Sequence, residues 1–289
     1  MTEDPRMMRP KVTVRTIRDM KAQRVRIVSV TAYDYPTARL ADEAGVDLIL
    51  VGDSLGMVVL GYESTIPVTV SEMAHHLKAV VRAAPRALVV VDLPFLSYQA
   101  SPEDAVRNAG RLMKRGAEAV KLEGGRRVLR QVSAIRDADI PVLGHLGLTP
   151  QSVHQFGGYR VQGRERAQAQ TLLDDAVALE RAGCFGLVLE GVPLELGREI
   201  TQTVGIPTIG IGAGPDCDGQ VLVLHDLVGL SFAKPARFVR RYTEAGDSIR
   251  QAIASFREDV RSGRYPSPTE SYAASPEKPA NREGSEKRS

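Results

Sequence analysis

The chain has no apolar stretch long enough for a membrane: its longest runs, such as Ala87-Leu-Val-Val-Val91, are strand-sized, far below the roughly 20 residues that span a bilayer. It also lacks a signal-peptide pattern, because Met1-Thr-Glu-Asp-Pro-Arg6 carries acids at once and leads into no apolar core. A membrane role is thereby excluded, and a cytoplasmic location is expected. Cysteine is scarce. Cys184 and Cys217 have no CxxC partner, and Cys184 opens an apolar run, so it is expected to be a buried core thiol. The formal net charge is only +3 and the Lys and Arg are scattered, which argues against nucleic acid or an anionic surface as a partner. No Gly-x-Ser-x-Gly elbow occurs. Gly210-Ile-Gly-Ala-Gly214 lacks both the Walker lysine and the full dinucleotide fingerprint.

What is present is an ordinary globular composition, 43% hydrophobic and 25% charged over 289 residues, enough for one barrel of roughly 200–250 residues with extensions or for two smaller domains. A repeating strand–helix pattern begins at Arg26-Ile-Val-Ser-Val-Thr31, after a small helix over 14–21. Strands are expected at 46–51, 87–91, 117–123, 140–145, 185–189, 206–211 and 220–224. Helices fall between them, with Gly45 and Gly116 as stops, Ser71 and Ser101 as caps, and Pro102 at a first position. None of the strand pairs is joined by a hairpin turn, and Val46-Asp-Leu-Ile-Leu-Val51 is nearly continuous in apolar residues, as strands of parallel sheets are. Eight βα units predict an α/β (β/α)8 TIM barrel, with a doubly wound open sheet as the alternative. The expected organisation is a mobile start over 1–11, the barrel over 12–265, and a disordered tail over 266–289. In that tail four Glu balance two Lys and two Arg and one aromatic, Tyr272, remains. The last helix has an apolar face of Ile249, Ile253, Phe256 and Val260.

A barrel brings all its strand ends to one face. At or just past those ends stand Asp34, Asp53 with Ser54, Asp92, Lys121 and Glu123, His145, Glu190, the glycines 210–214, and His225 with Asp226. Lys121 and Glu123 lie two apart on one strand and so project the same way, while Val120 and Leu122 face the other. Several acids converging on one mouth would repel unless a cation neutralised them. Oxygen donors without thiolate suggest a hard ion, with Mg²⁺ held by one or two carboxylates, waters and substrate oxygens. A lone Asp after a strand is otherwise a helix cap. His75 and His76 are adjacent on a helix and point about 100° apart, which fits packing rather than a shared metal.

At these residues the chain resembles a known family. Val51-Gly-Asp-Ser-Leu-Gly56, Asp92-Leu-Pro-Phe95, Val120-Lys-Leu-Glu-Gly-Gly125, Gly144-His-Leu-Gly-Leu-Thr-Pro-Gln151, Gly158-Tyr-Arg-Val-Gln-Gly163 and Ile209-Gly-Ile-Gly-Ala-Gly214 are similar, in order, to the motifs of ketopantoate hydroxymethyltransferases. The resemblance runs from about Val12 to Tyr265. It implies a (β/α)8 barrel, assembled as a homo-oligomer of the decameric kind, that acts early in pantothenate and coenzyme A biosynthesis. One carbon passes from 5,10-methylenetetrahydrofolate to 3-methyl-2-oxobutanoate, giving 2-dehydropantoate through a metal-stabilised enolate. By the same likeness Asp53, Asp92 and Glu123 would be the Mg²⁺ carboxylates and Glu190 the base. Asp53, Ser54, Asp92 and Lys121 would contact the oxo acid.

Glu190 follows an apolar run and is expected to be partly desolvated, which suits a base. Gly191 departs from the family pattern, where a larger residue is expected, and so would hold the base less firmly. Gly56 to Ile66 is expected to form a lid beside the site. Two rivals remain at this stage: another Mg²⁺-enolate barrel, a lyase or mutase of 2-oxo or phosphoenol acids, and a non-catalytic barrel that binds a metabolite.

Overall fold

The computed structural model describes residues 10–84 and 86–273. Its organising feature is a closed barrel of eight parallel strands in sequence order: β1 (Ile27–Thr31), β2 (Leu48–Val51), β3 (Leu88–Asp92), β4 (Ala119–Glu123), β5 (Val142–Gly147), β6 (Gly186–Glu190), β7 (Thr208–Ile211) and β8 (Gly219–Leu222). β8 pairs back onto β1 through Val28 and Gln220. The (β/α)8 expectation is met, and the open sheet is set aside.

Two apolar clusters follow from strand alternation. Ile49, Val51, Val89, Val91, Val120, Leu122, Leu187 and Leu189 belong to the larger one, shared with the surrounding helices. Their neighbours Leu48, Leu50, Leu88, Val90, Ala119, Leu143, Val188, Ile209 and Ile211 form a separate interior cluster. The helix Val14–Ala22 contributes Ile17 to that interior cluster, together with the preceding Val12, so the chain's start helps to fill the barrel. Interior-facing positions are mostly apolar in the lower part of the barrel, with Ser29 on β1 a buried polar exception. At the C-terminal ends of the strands the same parity delivers Asp92, Lys121, Glu123, His145 and Glu190.

Local chemistry explains most helix limits. Ser101 caps the helix Pro102–Met113, with Pro at its first position. Gly45 ends the helix Tyr35–Ala44 in the left-handed region, at φ 87°. The expected cap at Ser71 is corrected: Thr69 caps the helix Val70–Ala83, in a reciprocal capping box with Glu72. The box satisfies two terminal donors at once, which a serine at the second position of the helix cannot do. Several strands also begin later than expected, because the first apolar residues of runs such as 46–51 and 206–211 belong to the connecting turns.

The chain divides into two compact units, residues up to Thr243 and those from Glu244. The second contains the helix Ala245–Arg261 and a short turn, Pro268–Glu270, capped by Ser267. Of the expected mobile start and disordered tail, residues 1–9 and 274–289 lie outside the described residues. Among the described residues no helix is long and apolar enough to cross a membrane.

The corrected cap is testable. Thr69→Ala removes the box and is expected to cost about 1 kcal/mol, whereas Ser71→Ala, on the exposed helix surface, should change stability by less than about 0.5 kcal/mol. Paired denaturation curves distinguish them, and equal losses would return the cap to Ser71.

Candidate active site

Parallel pairing sets Asp92 beside Lys121, Glu123 beside His145, and Gly147 beside Glu190. Lys121 and His145 are almost fully buried, as are Asp53, Asp92 and Glu123, while the Glu190 side chain keeps 16% of its exposure. Lys121 Nζ lies 3.1 Å from Asp92 Oδ1 and 3.9 Å from Glu123 Oε1, so its nearer carboxylate is Asp92 rather than its own-strand neighbour. The lysine also reaches His145 Nδ1, at 3.2 Å. On the other side of the ring, His145 Nε2 is 3.3 Å from Glu190 Oε2. The imidazole therefore stands between Lys121 and the expected base.

Electrostatics show how crowded this mouth is. Burial, then Asp92 and Glu123, push the Asp53 carboxyl well above its usual range. Burial also raises Asp92, although Lys121 and the Asp53 backbone N–H oppose it. For Glu123, burial works upward but is outweighed by His145, Lys121 and the Gln151 backbone N–H, leaving it below the usual range. Lys121 is held protonated: burial disfavours its charge, but Asp92, Glu123 and Asp53 more than offset that. Three carboxylates thus face one lysine, and Glu190 faces His145.

Whether a hard cation fits can be judged from the donors. Asp92 Oδ1 is buried and makes no hydrogen bond, despite its proximity to Lys121, and so retains a lone pair for another partner. Burial is the first cause that holds the Asp53 and Asp92 carboxyls above their usual range, and an added positive charge would oppose it. Among the described residues, however, no three acid or imidazole side chains already close around one point. The donors present are carboxylate oxygens, the type that Mg²⁺ accepts, one or two at a time with several waters.

A residue without an assigned role in the sequence reading links the carboxylates. Gln151 Nε2 donates to Asp53 Oδ2 (2.8 Å) and to the Leu93 carbonyl (3.0 Å), and its backbone N–H donates to Glu123 Oε2 (3.0 Å). Its Oε1 accepts from Gln99 Nε2 (3.1 Å) and lies 2.9 Å from the Tyr98 hydroxyl. Every polar atom of the amide is engaged, and a flipped amide would turn Oε1 onto a carboxylate and a carbonyl. Tyr98 in turn accepts from the Glu123 backbone N–H at 3.1 Å. Ser54 bonds the Tyr33 hydroxyl at 2.8 Å, and burial raises the Tyr33 phenol. A glutamine after Thr-Pro and tyrosines in turns carry no periodicity that would single them out.

Other rim candidates have structural roles. Asp34 caps the helix Tyr35–Ala44 through Thr37, and Asp226 accepts from Ser231. His225 stands against the Tyr33 ring, with centroids 5.5 Å apart, and His76 contacts the Tyr33 carbonyl through Nδ1 at 2.6 Å. Cys184 is a core thiol, pushed up to about 12 by burial. Within the expected lid, Leu55–Val58 is a short helix and the Tyr62 hydroxyl bonds Glu72 at 3.0 Å.

The backbone around the base is pinned on both sides. Leu148 N–H donates to the Glu190 carbonyl at 2.7 Å, an approach so close that a Cβ on Gly147 would meet that oxygen at 2.1 Å. Gly191, at φ 55°, donates to the Ile211 carbonyl and accepts from the Gln162 N–H, each at 2.9 Å. Its small size therefore coincides with a firmly bonded chain.

The ketopantoate hydroxymethyltransferase family model matches residues 11–268. A 3-methyl-2-oxobutanoate hydroxymethyltransferase of Moorella thermoacetica is 59% identical, covering 91% of this chain and 98% of that relative. One from Koribacter versatilis is 55% identical, covering 91% and 90%. Among solved structures, 2,3-dimethylmalate lyase, of the PEP mutase/isocitrate lyase superfamily, aligns with a TM-score of 0.58 at 18% identity, covering 90% of this chain and 94% of that one. At that identity the likeness is one of fold alone, whereas the relatives above share both motifs and length. The chain is an enzyme of the transferase class and belongs to the ketopantoate hydroxymethyltransferase family.

Proposed function

We propose that this protein transfers a one-carbon unit from 5,10-methylenetetrahydrofolate to 3-methyl-2-oxobutanoate, with Mg²⁺, forming 2-dehydropantoate for pantothenate and coenzyme A biosynthesis in the cytoplasm. The observation that carries this reading is the charged cap on the barrel interior of a member of this family: Asp53, Asp92, Lys121, Glu123, His145 and Glu190 share one mouth. Asp53 and Asp92, with Glu123 directly or through water, would hold Mg²⁺. When bound, the ion supplies Lewis-acid polarisation of the 2-oxo group, worth several kcal/mol to a developing enolate.

The chain's own groups do the rest. Glu190 takes the C3 proton, and the electron pair moves toward the 2-oxo group. His145, 3.3 Å from Glu190 Oε2, positions that carboxylate against the substrate. Lys121, held cationic by its acidic neighbours, faces the substrate carboxylate with Ser54. Gln151 keeps Asp53 and Glu123 in register through its side-chain and backbone donors. The C3 carbanion then attacks the folate-borne methylene carbon to form the C–C bond, and the C–N bond breaks as water gives its hydroxyl to that carbon and a proton to the departing tetrahydrofolate nitrogen. The apolar interior beneath the mouth keeps bulk water from the enolate.

The same reading includes self-assembly. Ile249, Ile253, Phe256 and Val260 on the helix Ala245–Arg261 are 47–62% exposed, and Val28 on β1 is 50% exposed. The apolar face of that helix calls for a cover, and a second copy of this chain would supply one.

Three outcomes are expected. With Mg²⁺, methylenetetrahydrofolate and the oxo acid, the wild-type protein forms 2-dehydropantoate; Glu190→Gln loses about 10²–10⁴-fold in rate and also loses folate-independent deuterium exchange at C3. Undiminished exchange in that variant would remove the base from Glu190.

The raised Asp53 carboxyl sets a pH dependence. In metal-free protein this group keeps its proton above the unfolded value of about 4. Its contribution is therefore complete below that value and is lost as pH rises through the raised one. Asp53→Asn should raise the metal-free melting temperature, by about 2–4 °C per kcal/mol relieved, and abolish the rise that Mg²⁺ gives the wild type. Calorimetry with and without Mg²⁺ decides it, and an unchanged Mg²⁺ effect would exclude Asp53 as a ligand.

Light scattering should give a mass of several chains for the wild type and a smaller one for Ile253→Asp/Phe256→Asp. A monomeric wild type would refute the assembly.

A further inference from the structure

Beside the catalytic mouth lies a cavity of about 460 Å³, within the roughly 300–1,000 Å³ typical of small-molecule pockets. Glu123 and Gln151 form part of its lining, and Gln151 Nε2 also touches Asp53. A molecule in the cavity is therefore separated from the carboxylate set by side chains that belong to both. The metal, the oxo acid and the base account for the mouth itself and leave this space unused.

Its other walls have a distinct chemistry. Ile66 and Phe95 are apolar, and Phe95 keeps 38% of its exposure, so a flat ring can slide against it from solvent. Gln99, Gln131 and Gln155 add carboxamides, each able to give and accept hydrogen bonds. Arg127 stands exposed at the rim, its Nη1 donating to the neutral Gln155 Oε1 at 3.2 Å. Lysine and carboxylate, which dominate the mouth, are otherwise missing from this lining apart from Glu123.

Gln131 supplies the independent sign of a ligand. It lies on the helix Leu129–Asp137, is only 8% exposed, and its Oε1 is buried without a hydrogen-bond partner. An unpaired buried acceptor costs about 1–3 kcal/mol. A flipped amide would leave a donor in the same position, so the group calls for a partner in either orientation. Few ring systems meet it both ways; the edge of a reduced pterin, with amino, N–H and oxo groups in a row, does.

We infer that this cavity holds the reduced pterin of the folate co-substrate, flanked by Phe95 and Ile66 and read along its edge by Gln131, with Arg127 receiving the carboxylates of the glutamate tail. The inference rests on the folate reading above and names its binding site. It also accounts for the cavity's shared wall, since the methylene carbon bridges N5 of the reduced pterin and N10 of the adjoining aminobenzoyl group and must reach C3 of the oxo acid at the mouth. Gln151 then faces the metal carboxylates with its amide nitrogen while its residue lines the folate side.

The test uses the full chain with Mg²⁺ and the oxo acid, and tetrahydrofolate as the probe. Gln131→Leu, which removes the amide at similar size, should weaken tetrahydrofolate binding and raise the KM for methylenetetrahydrofolate about tenfold, the effect of roughly 1.4 kcal/mol. Folate-independent C3 exchange, and the KM for the oxo acid, should stay at wild-type values, which also certifies folding. Arg127→Ala, at an exposed position, should weaken binding of tetrahydrofolate but not of tetrahydropteroate, which lacks the glutamate. Wild-type protein that exchanges C3 yet binds no tetrahydrofolate would overturn the folate reading itself. Normal tetrahydrofolate binding by both variants would overturn only this site, as would a loss of binding confined to Gln168→Leu, in the separate cavity of about 330 Å³ lined by Thr149, Gln162 and Gln168.

Discussion

Alternation along a parallel strand is the constraint on which this molecule depends. Inside the closed barrel, positions of one parity are Leu88 and Val90, then Asp92; or Ala119, then Lys121 and Glu123; or Leu143, then His145; or Val188, then Glu190. The strand that buries an apolar layer below must deliver a charged layer above, because the backbone offers no other direction. The site is therefore continuous with the core rather than attached to it. A one-residue slip in register would exchange Lys121 and Glu123 for Val120 and Leu122, which makes β4 pairing with β3 and β5 part of the chemistry.

A charged layer in that position is costly in itself. Asp53 is pushed toward neutrality by burial, Asp92 and Glu123, and Asp92 by burial and Glu123; Lys121 alone does not offset them. What holds the arrangement in the absence of a cation is the polar frame of Gln151, Tyr98 and His145, together with the apolar barrel beneath. The donor set keeps capacity in reserve, as the unbonded Asp92 Oδ1 indicates. On the proposed Mg²⁺ reading, stability and binding would pull opposite ways here.

Much of this was legible in the sequence because its signals are local. Apolar runs ending in acid or glycine gave the strands, and the repeat of such units gave the barrel. The two-residue spacing of Lys121 and Glu123 gave their shared face. Helix starts were less legible: Thr69 and Ser71 are both good cap residues, and the choice turns on the reach of Glu72 to the cap backbone. The partner of Lys121 was not legible at all, since Asp92 belongs to the neighbouring strand and becomes the nearer carboxylate only through the β3–β4 register. Gln151 and Tyr98 are the clearest gap. They lie in turns, where no period constrains side-chain direction, and their role exists only once β3, β4 and β5 are closed side by side.

That gap also says where such sites keep their specificity. Charged residues at strand ends sit on the rigid part of the barrel, and the likeness to 2,3-dimethylmalate lyase at 18% identity is a likeness of that fold. Turns between strand and helix are free of the core's packing demands and can diverge. Here the turns after β3, β4 and β5 contribute Phe95, Gln99, Arg127, Gln151 and Gln155, and the adjoining helix contributes Gln131. Carboxamides are suited to that duty: they add no charge to a mouth already crowded with carboxylates, yet each presents a donor and an acceptor. On the proposed reading, the acids at the strand ends would act on the bond that is weakened, and the neutral amides around them would select the second molecule that approaches it.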